Sequence, residues 1–542
     1  MRKTTYILAG VALAMLPLTM QAQTQPQDTT LVRTVVVEQE YTPDIRDAAK
    51  VNVLPKVEAP TVSKKTVEYD ATLMPSDNIP AGTMQAYTGK ETQDKAKPGY
   101  ARLGYGNYGN LDARANYLFA FSPKDRLNLT FAMDGMDGKL EVPETDKKWS
   151  SYFYRTRAAM DYVHAFNKVD LNVAGHFGLS NFNHHYYRNK QKYTSGDVHF
   201  GVNSTDNDMP YRFKAETNLM FYERQYSPFT NGTAKEGIVR TKADVAGHIN
   251  DEQLVGLSLG MDNAIYNGEL LKNHTDLGLN PYYLLQNDDW KVRLGAHVDL
   301  AFGFGKKFCA APDVQAEYTF SDSYTLYAQA KGGKLTNDFR RLEMLNPYGL
   351  ITGQPDATYE QLNAAIGFKA SPAAGLWLHL YGGYQDLKND LVLAPYANMS
   401  GVYPGSASAH TSNIYAGAEV SYDYKDLVSF SASGLYRNWD TDKERETIML
   451  PFKPALEANF RMNVRPVSAV LVGIGYRHIA RQETEGHKEA PVSNLYLSGS
   501  YEIFTGISIY ARANNLLNKK YQYYQGCTSE GINFLGGVSF LF

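Results

Sequence analysis

The sequence has 542 residues, 54 basic and 57 acidic side chains, and a formal charge of −3. That length exceeds one ordinary soluble core, and so mild a charge balance excludes nucleic acid as a partner. Mean hydropathy is −0.40 and no apolar run of about 18 residues follows the N-terminus, so no spanning helix is expected beyond it.

The first segment, residues 1–22, reads as a signal peptide. Arg2 and Lys3 open it, a short apolar stretch follows, and small-residue chemistry ends near Ala22. A membrane anchor is the competing reading; the stretch is short for one and polar sequence follows at once. Cleavage would remove the two basic residues and take the charge from −3 to −5. No Cys follows that region, which excludes lipid attachment there.

Residues 23–97 are rich in Pro, Thr, Lys, Asp and Glu and poor in aromatics. They predict an extended or disordered periplasmic or lumenal segment, with one candidate strand at "LVRTVVVEQEY".

From residue 98 to 542 the pattern has period two, the strand signature. Leu127, Leu129, Phe131 and Met133 alternate with Arg126, Asn128, Thr130 and Asp134. Val169, Leu171, Val173 and Phe177 alternate with Asp170, Asn172 and His176, and Val292, Leu294, Val298 and Leu300 with Arg293, His297 and Asp299. With 40 Tyr and 44 Gly, the composition suits strands and interfacial belts.

Connectors come in two kinds. One set is tight turn chemistry, such as "SPKD", "NDDW" and "FTGI". The other is longer and polar, including 135–150, 181–195, 226–237, 332–359, 387–412, 438–448, 479–493 and 516–531. A soluble sandwich gives no reason for two kinds of rim. A membrane barrel does: its backbone groups pair around a closed ring, with short periplasmic turns and long outer loops. The predicted fold is all-β, a transmembrane antiparallel β-barrel of about 22 strands.

Little chemistry is expected of the side chains. No phosphate-binding loop, zinc pair or nucleophile elbow is present, so neither cofactor nor enzymatic activity is expected. His184 and His185 fall in a predicted outer loop, where solvated histidines are the expectation rather than metal ligands. Asp170, His176, His297 and Asp299 read as lumen-wall polarity rather than an acid–base pair. Cys309 and Cys527 could form one disulfide or remain two thiols.

The final stretch, Ile532 to Phe542, puts Phe534, Val538, Phe540 and Phe542 on one face. It is expected to close the ring with that face in lipid, and Phe540 and Phe542 to serve the outer-membrane insertion machinery as a terminal signal.

Two segments resemble TonB-dependent receptors. "LNPYGLITGQPDATYEQLNAAIGF", Leu345 to Phe368, looks like that family's NP…P…YE loop and strand. "ARANNLLNKKYQYY", Ala511 to Tyr524, resembles its penultimate strand and N-L-x-(D/N)-K-x-Y loop. The terminal Phe matches its closing aromatic. The resemblance implies a Gram-negative outer-membrane location and a transport role, as a channel or uptake component. It departs where the family has a plug of well over 100 residues, since only residues 23–97 are available here. "TVVVEQEY" resembles the TonB-binding box, which makes Thr34, Val35, Val36, Val37 and Glu38 a candidate partner-binding strand. TonB, or another periplasmic or surface protein, is the partner this implies. An extended segment lying in or under the barrel is the other reading. The competing function is a non-transport scaffold in an outer-membrane complex.

Overall fold

The computed structural model describes residues 97–142, 147–185, 190–206, 209–227, 232–267, 271–321, 323–351, 353–398, 401–442, 450–484, 488–524 and 526–542. Residues 1–22, the predicted signal peptide, and Thr34–Glu38 lie outside them. The first eight strands are β1 Gly99–Gly106, β2 Leu111–Ala120, β3 Asp125–Glu141, β4 Lys148–Ala165, β5 Val169–Phe182, β6 Gln191–Ser204, β7 Tyr211–Ser227 and β8 Gly232–His248. Next come β9 Gln253–Tyr266, β10 His274–Gln286, β11 Trp290–Phe302, β12 Phe308–Phe320 and β13 Tyr324–Leu335. A short helix, α1 Phe339–Leu345, precedes β14 Thr358–Ala373, β15 Leu376–Asn398, β16 Gly401–Tyr424 and β17 Val428–Thr441. The chain ends with β18 Pro454–Val467, β19 Val470–Arg481, β20 Val492–Phe504, β21 Ile507–Asn514, a small hairpin of β22 Gln522–Tyr524 and β23 Cys527–Thr528, and β24 Asn533–Leu541.

Twenty-two of these strands form one antiparallel sheet, each paired to its sequence neighbours. β24 pairs with both β21 and β1, which closes the ring. The β1–β24 register runs from Tyr100 opposite Leu541 to Gly106 opposite Leu535. Gly99 and Phe542 extend it by exchanging both backbone hydrogen bonds, at 2.8 and 2.9 Å. With no free edge in the ring, the wall strands pair on both sides along the band, as hydrocarbon surroundings demand.

The two faces follow the parity of the sequence. Leu103, Phe131, Phe177, Leu219, Leu294 and Phe540 are exposed outward. Opposite parity turns charge into the lumen, where it pairs across strands. Arg240 binds Asp262 through two nitrogens at 2.8–3.0 Å, and Arg293 Nε donates to Asp313 at 2.7 Å.

One rim is built from tight turns. Gly375 adopts φ +77° in the β14–β15 turn, where a Cβ would collide with the Asp423 carbonyl; only glycine suits both demands. The other rim is elaborated, but less by loops than the sequence implied. The predicted loop 135–150 is mostly strand, with β3 running to Glu141 and β4 resuming at Lys148. The predicted loop 387–412 is the upper part of β15 and β16, strands of 23 and 24 residues. The reason is that polarity alternates only where one face meets lipid. Above that band both faces are wet, so a strand loses its pattern without losing its hydrogen bonds.

Candidate functional site

A barrel of 22 strands is too wide for wall side chains to fill. Here the chain itself crosses the mouth at the elaborated rim. After β13 it turns inward rather than continuing the wall. Asn337 ties the base of this excursion, donating to the Asp356 carbonyl at 2.6 Å and to Thr358 Oγ1 at 3.2 Å. Asp338 then caps α1, its Oδ1 accepting from the Arg341 N–H at 2.9 Å.

The segment from Asp338 to Ile351 is fastened to the walls by side chains of both partners. Glu236 of β8 accepts from the Phe339 N–H at 3.0 and 3.1 Å. Arg340 reaches β6, donating to Asp197 Oδ1 and the Gly196 carbonyl, both at 3.0 Å. Glu343 accepts from Ser180 Oγ at 2.7 Å and from the Tyr222 hydroxyl at 2.5 Å. The Tyr193 hydroxyl donates to the Pro347 carbonyl at 2.6 Å. Arg224 donates to the Gly349 carbonyl at 2.8 Å and also to the Tyr193 oxygen, with its guanidinium 4.4 Å from the Tyr193 ring centre. Charge-assisted bonds of this kind are the strong ones, and strongest away from water.

An apolar cluster forms beneath these ties. Phe182 is fully buried, with the rings of Phe153, Tyr193 and Tyr348 centred 5.0, 5.0 and 5.2 Å away. Phe339, Leu342 and Ile351 join from the inward segment, Leu391 from β15 and Cys527 from β23. Tyr348 also meets Tyr524 of β22, ring centres 6.1 Å apart. Leu350 donates its N–H to the Pro404 carbonyl of β16 at 2.9 Å. Three excursions from different parts of the ring thus share one core. Burying a large side chain is worth about 1.5–3 kcal/mol, so the closure is held by packing as well as polar ties.

Burial has visible effects on titrating groups here. It pushes His184 down to about 3, with the nearby Arg224 charge adding to the effect. It pushes the Cys527 thiol up to about 12. Lys453 is held below its usual range by burial, although Asp390 accepts from it.

His184 therefore corrects the reading of a solvated loop: it is buried against Phe182 and Tyr348. The physical cause is that Tyr348 of the inward segment packs against His184 and takes it out of water. His185 packs on Trp149, ring centres 5.3 Å apart. Cys309 and Cys527 are free thiols. His176 joins the ties, its Nδ1 2.6 Å from Asp197, the residue that holds Arg340. Asp170 lies at the other end of β5 and takes no part. His297 lies within 3.0 Å of Asn280, which also donates to Asp313; Asp299 stands two positions further along the same strand. Phe540 and Phe542 are exposed beside the β1–β24 seam. Sequence reasoning missed Arg224, Glu236 and Glu343. The sequence does place Arg224 and Glu236 at lumen parity near the upper ends of β7 and β8, but their partners, the Gly349 carbonyl and the Phe339 N–H, are backbone groups that it does not mark. Among the described residues no group of three His, Cys, Asp or Glu is placed to hold a metal.

No family model matches the sequence, and no curated protein does. Solved structures do match in shape. The copper transporter OprC is 12% identical with a TM-score of 0.61, over 82% of this chain and 80% of that one. The FrpB iron transporter of Neisseria meningitidis (F3-3 variant) is 10% identical with a TM-score of 0.62, over 83% and 82%. The siderophore receptor PirA of Acinetobacter baumannii is 9% identical with a TM-score of 0.63, over 82% and 80%. Identities this low speak for architecture alone, and the ring closed by β24 on β1 agrees with them: the described chain has the fold of the TonB-dependent receptor barrel.

Proposed function

We propose that this chain is a gated uptake barrel of the Gram-negative outer membrane, its outer mouth closed by residues 338–351. The observation that carries the reading is how that segment is attached. It is joined to the wall by side-chain ties from Arg224, Glu236, Arg340 and Glu343, and by one isolated bridge between Leu350 and Gly405. Such ties can be exchanged without breaking the ring. The names of the compared proteins, a copper transporter, an iron transporter and a siderophore receptor, support uptake as the class. In this reading Thr34–Glu38 adds a strand to TonB or a similar periplasmic protein, and residues 23–97 stand in for a plug. Lipid contacts the outer face, and the insertion machinery reads Phe540 and Phe542.

The eleven-residue apolar cluster under the ties favours a second reading, a permanently closed barrel serving as scaffold in an outer-membrane complex. Single-channel conductance separates the two. Under the uptake reading, full-length protein conducts in small, noisy steps. The double variant Arg224→Met, Glu343→Gln, with residues 23–97 removed, opens large stable steps. If the double variant stays as closed as the wild type while still folding as a barrel, the scaffold reading stands.

A further inference from the structure

The inner wall from β17 to β21 carries arginine without acid. Strand register sets its lumen-facing side chains in three rows. Nearest the tight-turn rim stand Ser429, Asn463, Gly473, Ser498 and Arg512. Ser431, Arg461, Gly475 and Tyr496 form the next row, and Ser433, Asn459, Arg477 and Asn494 the third. The alternate positions face lipid, where Phe460, Val472, Ile474 and Leu497 are exposed. Asn463 donates to Ser429 Oγ at 3.3 Å. Asn463 Oδ1 and Ser498 Oγ also close over Gly473, 2.6 and 2.7 Å from where a Cβ would stand. Only the missing side chain lets the two approach.

Cations elsewhere on this wall have acids beside them. Arg155 pairs with Asp134 at 3.2 Å, and Arg114 with Asp112 at 3.2 Å. Where no ion pair forms, the register still supplies an acid. Lys291 stands opposite Glu317 and Lys331 opposite Asp313, while Arg126 and Arg157 are diagonal to Asp161 and Asp134. Arg461 and Arg512 have no such neighbour. The lumen positions opposite and diagonal to Arg461 hold Ser429, Ser431, Ser433, Gly473, Gly475 and a further arginine, Arg477. Those around Arg512 hold Tyr496, Ser498, Ser500, Asn533, Leu535 and Gly537. Neither arginine makes a hydrogen bond or ion pair among the described residues. Glu530 lies within electrostatic reach of Arg512 but is held by Asn110 and Asn533, at 2.7 and 2.8 Å.

A guanidinium presents five N–H donors in a planar fork that matches carboxylate and phosphate oxygens. Serine hydroxyls and asparagine amides around it add donors and bring no repelling charge. A concave wall of one sign, backed by apolar surroundings, raises the local concentration of anions. Across the diagonal the Cβ atoms of Arg461 and Arg477 stand about 7 Å apart. Arg512 lies three strands over and one row down, about 16 Å from Arg461 at the usual strand spacing. Arginines so spread are satisfied together only by a ligand with more than one anionic group.

From this patch we infer a binding site for solutes that carry two or more carboxylate, phosphate or sulfate groups, with Arg461 and Arg512 as its anchors. The site deepens the uptake reading, on which it rests for the direction of travel. Such a solute crosses along the β17–β21 wall rather than through the middle of the lumen.

The test is isothermal titration of the full chain, in zwitterionic detergent, with sodium tripolyphosphate. The wild type should bind, more weakly at 300 mM than at 50 mM salt on the order used for such titrations. Orthophosphate, with one anionic group, should bind at least about tenfold more weakly. The double variant Arg461→Gln, Arg512→Gln should lose at least about tenfold in affinity, whereas Lys291→Gln, Lys331→Gln, whose positions face acids, should change it less than about twofold. A wild type that binds no tripolyphosphate, or equal losses in the two double variants, overturns the site. Should the first double variant not form the heat-modifiable barrel, Arg512→Gln alone, at an exposed position, makes the same comparison against Lys291→Gln. Tripolyphosphate bound to a barrel that conductance shows permanently closed sinks uptake and leaves the site; a barrel that opens but binds none sinks the site alone.

Discussion

Arg224 shows how much a single buried side chain can hold. Its guanidinium serves the Tyr193 hydroxyl and the Gly349 carbonyl at once, so its loss strands two acceptors away from water. An unmet buried partner costs about 1–3 kcal/mol. Arg224→Met should therefore loosen the inward segment without unfolding the ring. Cys527 provides the readout, since burial holds its thiol up to about 12 and only an opened mouth exposes it. Alkylation of Cys527 should run about fivefold to a hundredfold faster in the variant, at one decade per about 1.4 kcal/mol. His184 makes a related point through pH. Its folded value, about 3, lies below the free value of 6.5, so the closed mouth favours the neutral ring. That stability is complete above pH 6.5 and drains away as pH falls from there toward 3. Labelling of Cys527 by a pyridyl disulfide, which reacts in acid, should accelerate across that interval; His184→Phe should flatten the rise.

Among the elements, the β15–β16 hairpin stands apart. Beyond Lys388 and Thr411 its strands pair with each other but no longer with β14 or β17. Exposed sheet edges invite foreign strands. Here Pro395 and Pro404 face one another across the hairpin. The Pro404 carbonyl points away from that pairing, toward Leu350, so the missing N–H of each proline falls on an outer edge and blunts it. With the elaborated rim outside the cell, an epitope inserted after Asn398 should be reachable by antibody on intact cells, and one at Lys425 should not. Equal labelling at both sites would overturn the orientation. The same hairpin marks what the sequence could and could not reveal. Strand parity, tight turns and the ring were legible because lipid on one face and water on the other impose a period of two. Upper β15 and β16 read as loop in the sequence because no such contrast acts there. The mouth was illegible for another reason: Glu236 and Phe339 meet across 103 residues, and no local pattern encodes a partner that far away.

At the scale of the whole molecule, the wall is a chain of neighbours with one exception. Every pairing in the ring joins consecutive wall strands, while β24 must find β1. Deleting Phe542 removes the bonds that extend this pairing to Gly99 and the proposed insertion signal. The assembled barrel, read as the heat-modifiable band on a gel, should fall while the secreted amount stays constant. An unchanged band would show that neither role matters. The seam also sets the order of events during assembly. Lys97 and Leu541 touch across 444 residues, and gathering the ends of so long a chain carries an entropic cost of about 5 kcal/mol on the logarithmic scale of loop closure. Hairpins elsewhere close over a few residues and meet almost none of it. Joining β1 to β24 is therefore the event that has to wait for all the others, and until it happens both strands are bare templates. A chain built this way spends its vulnerable period as an open ribbon whose two sticky margins sit at opposite ends of the sequence.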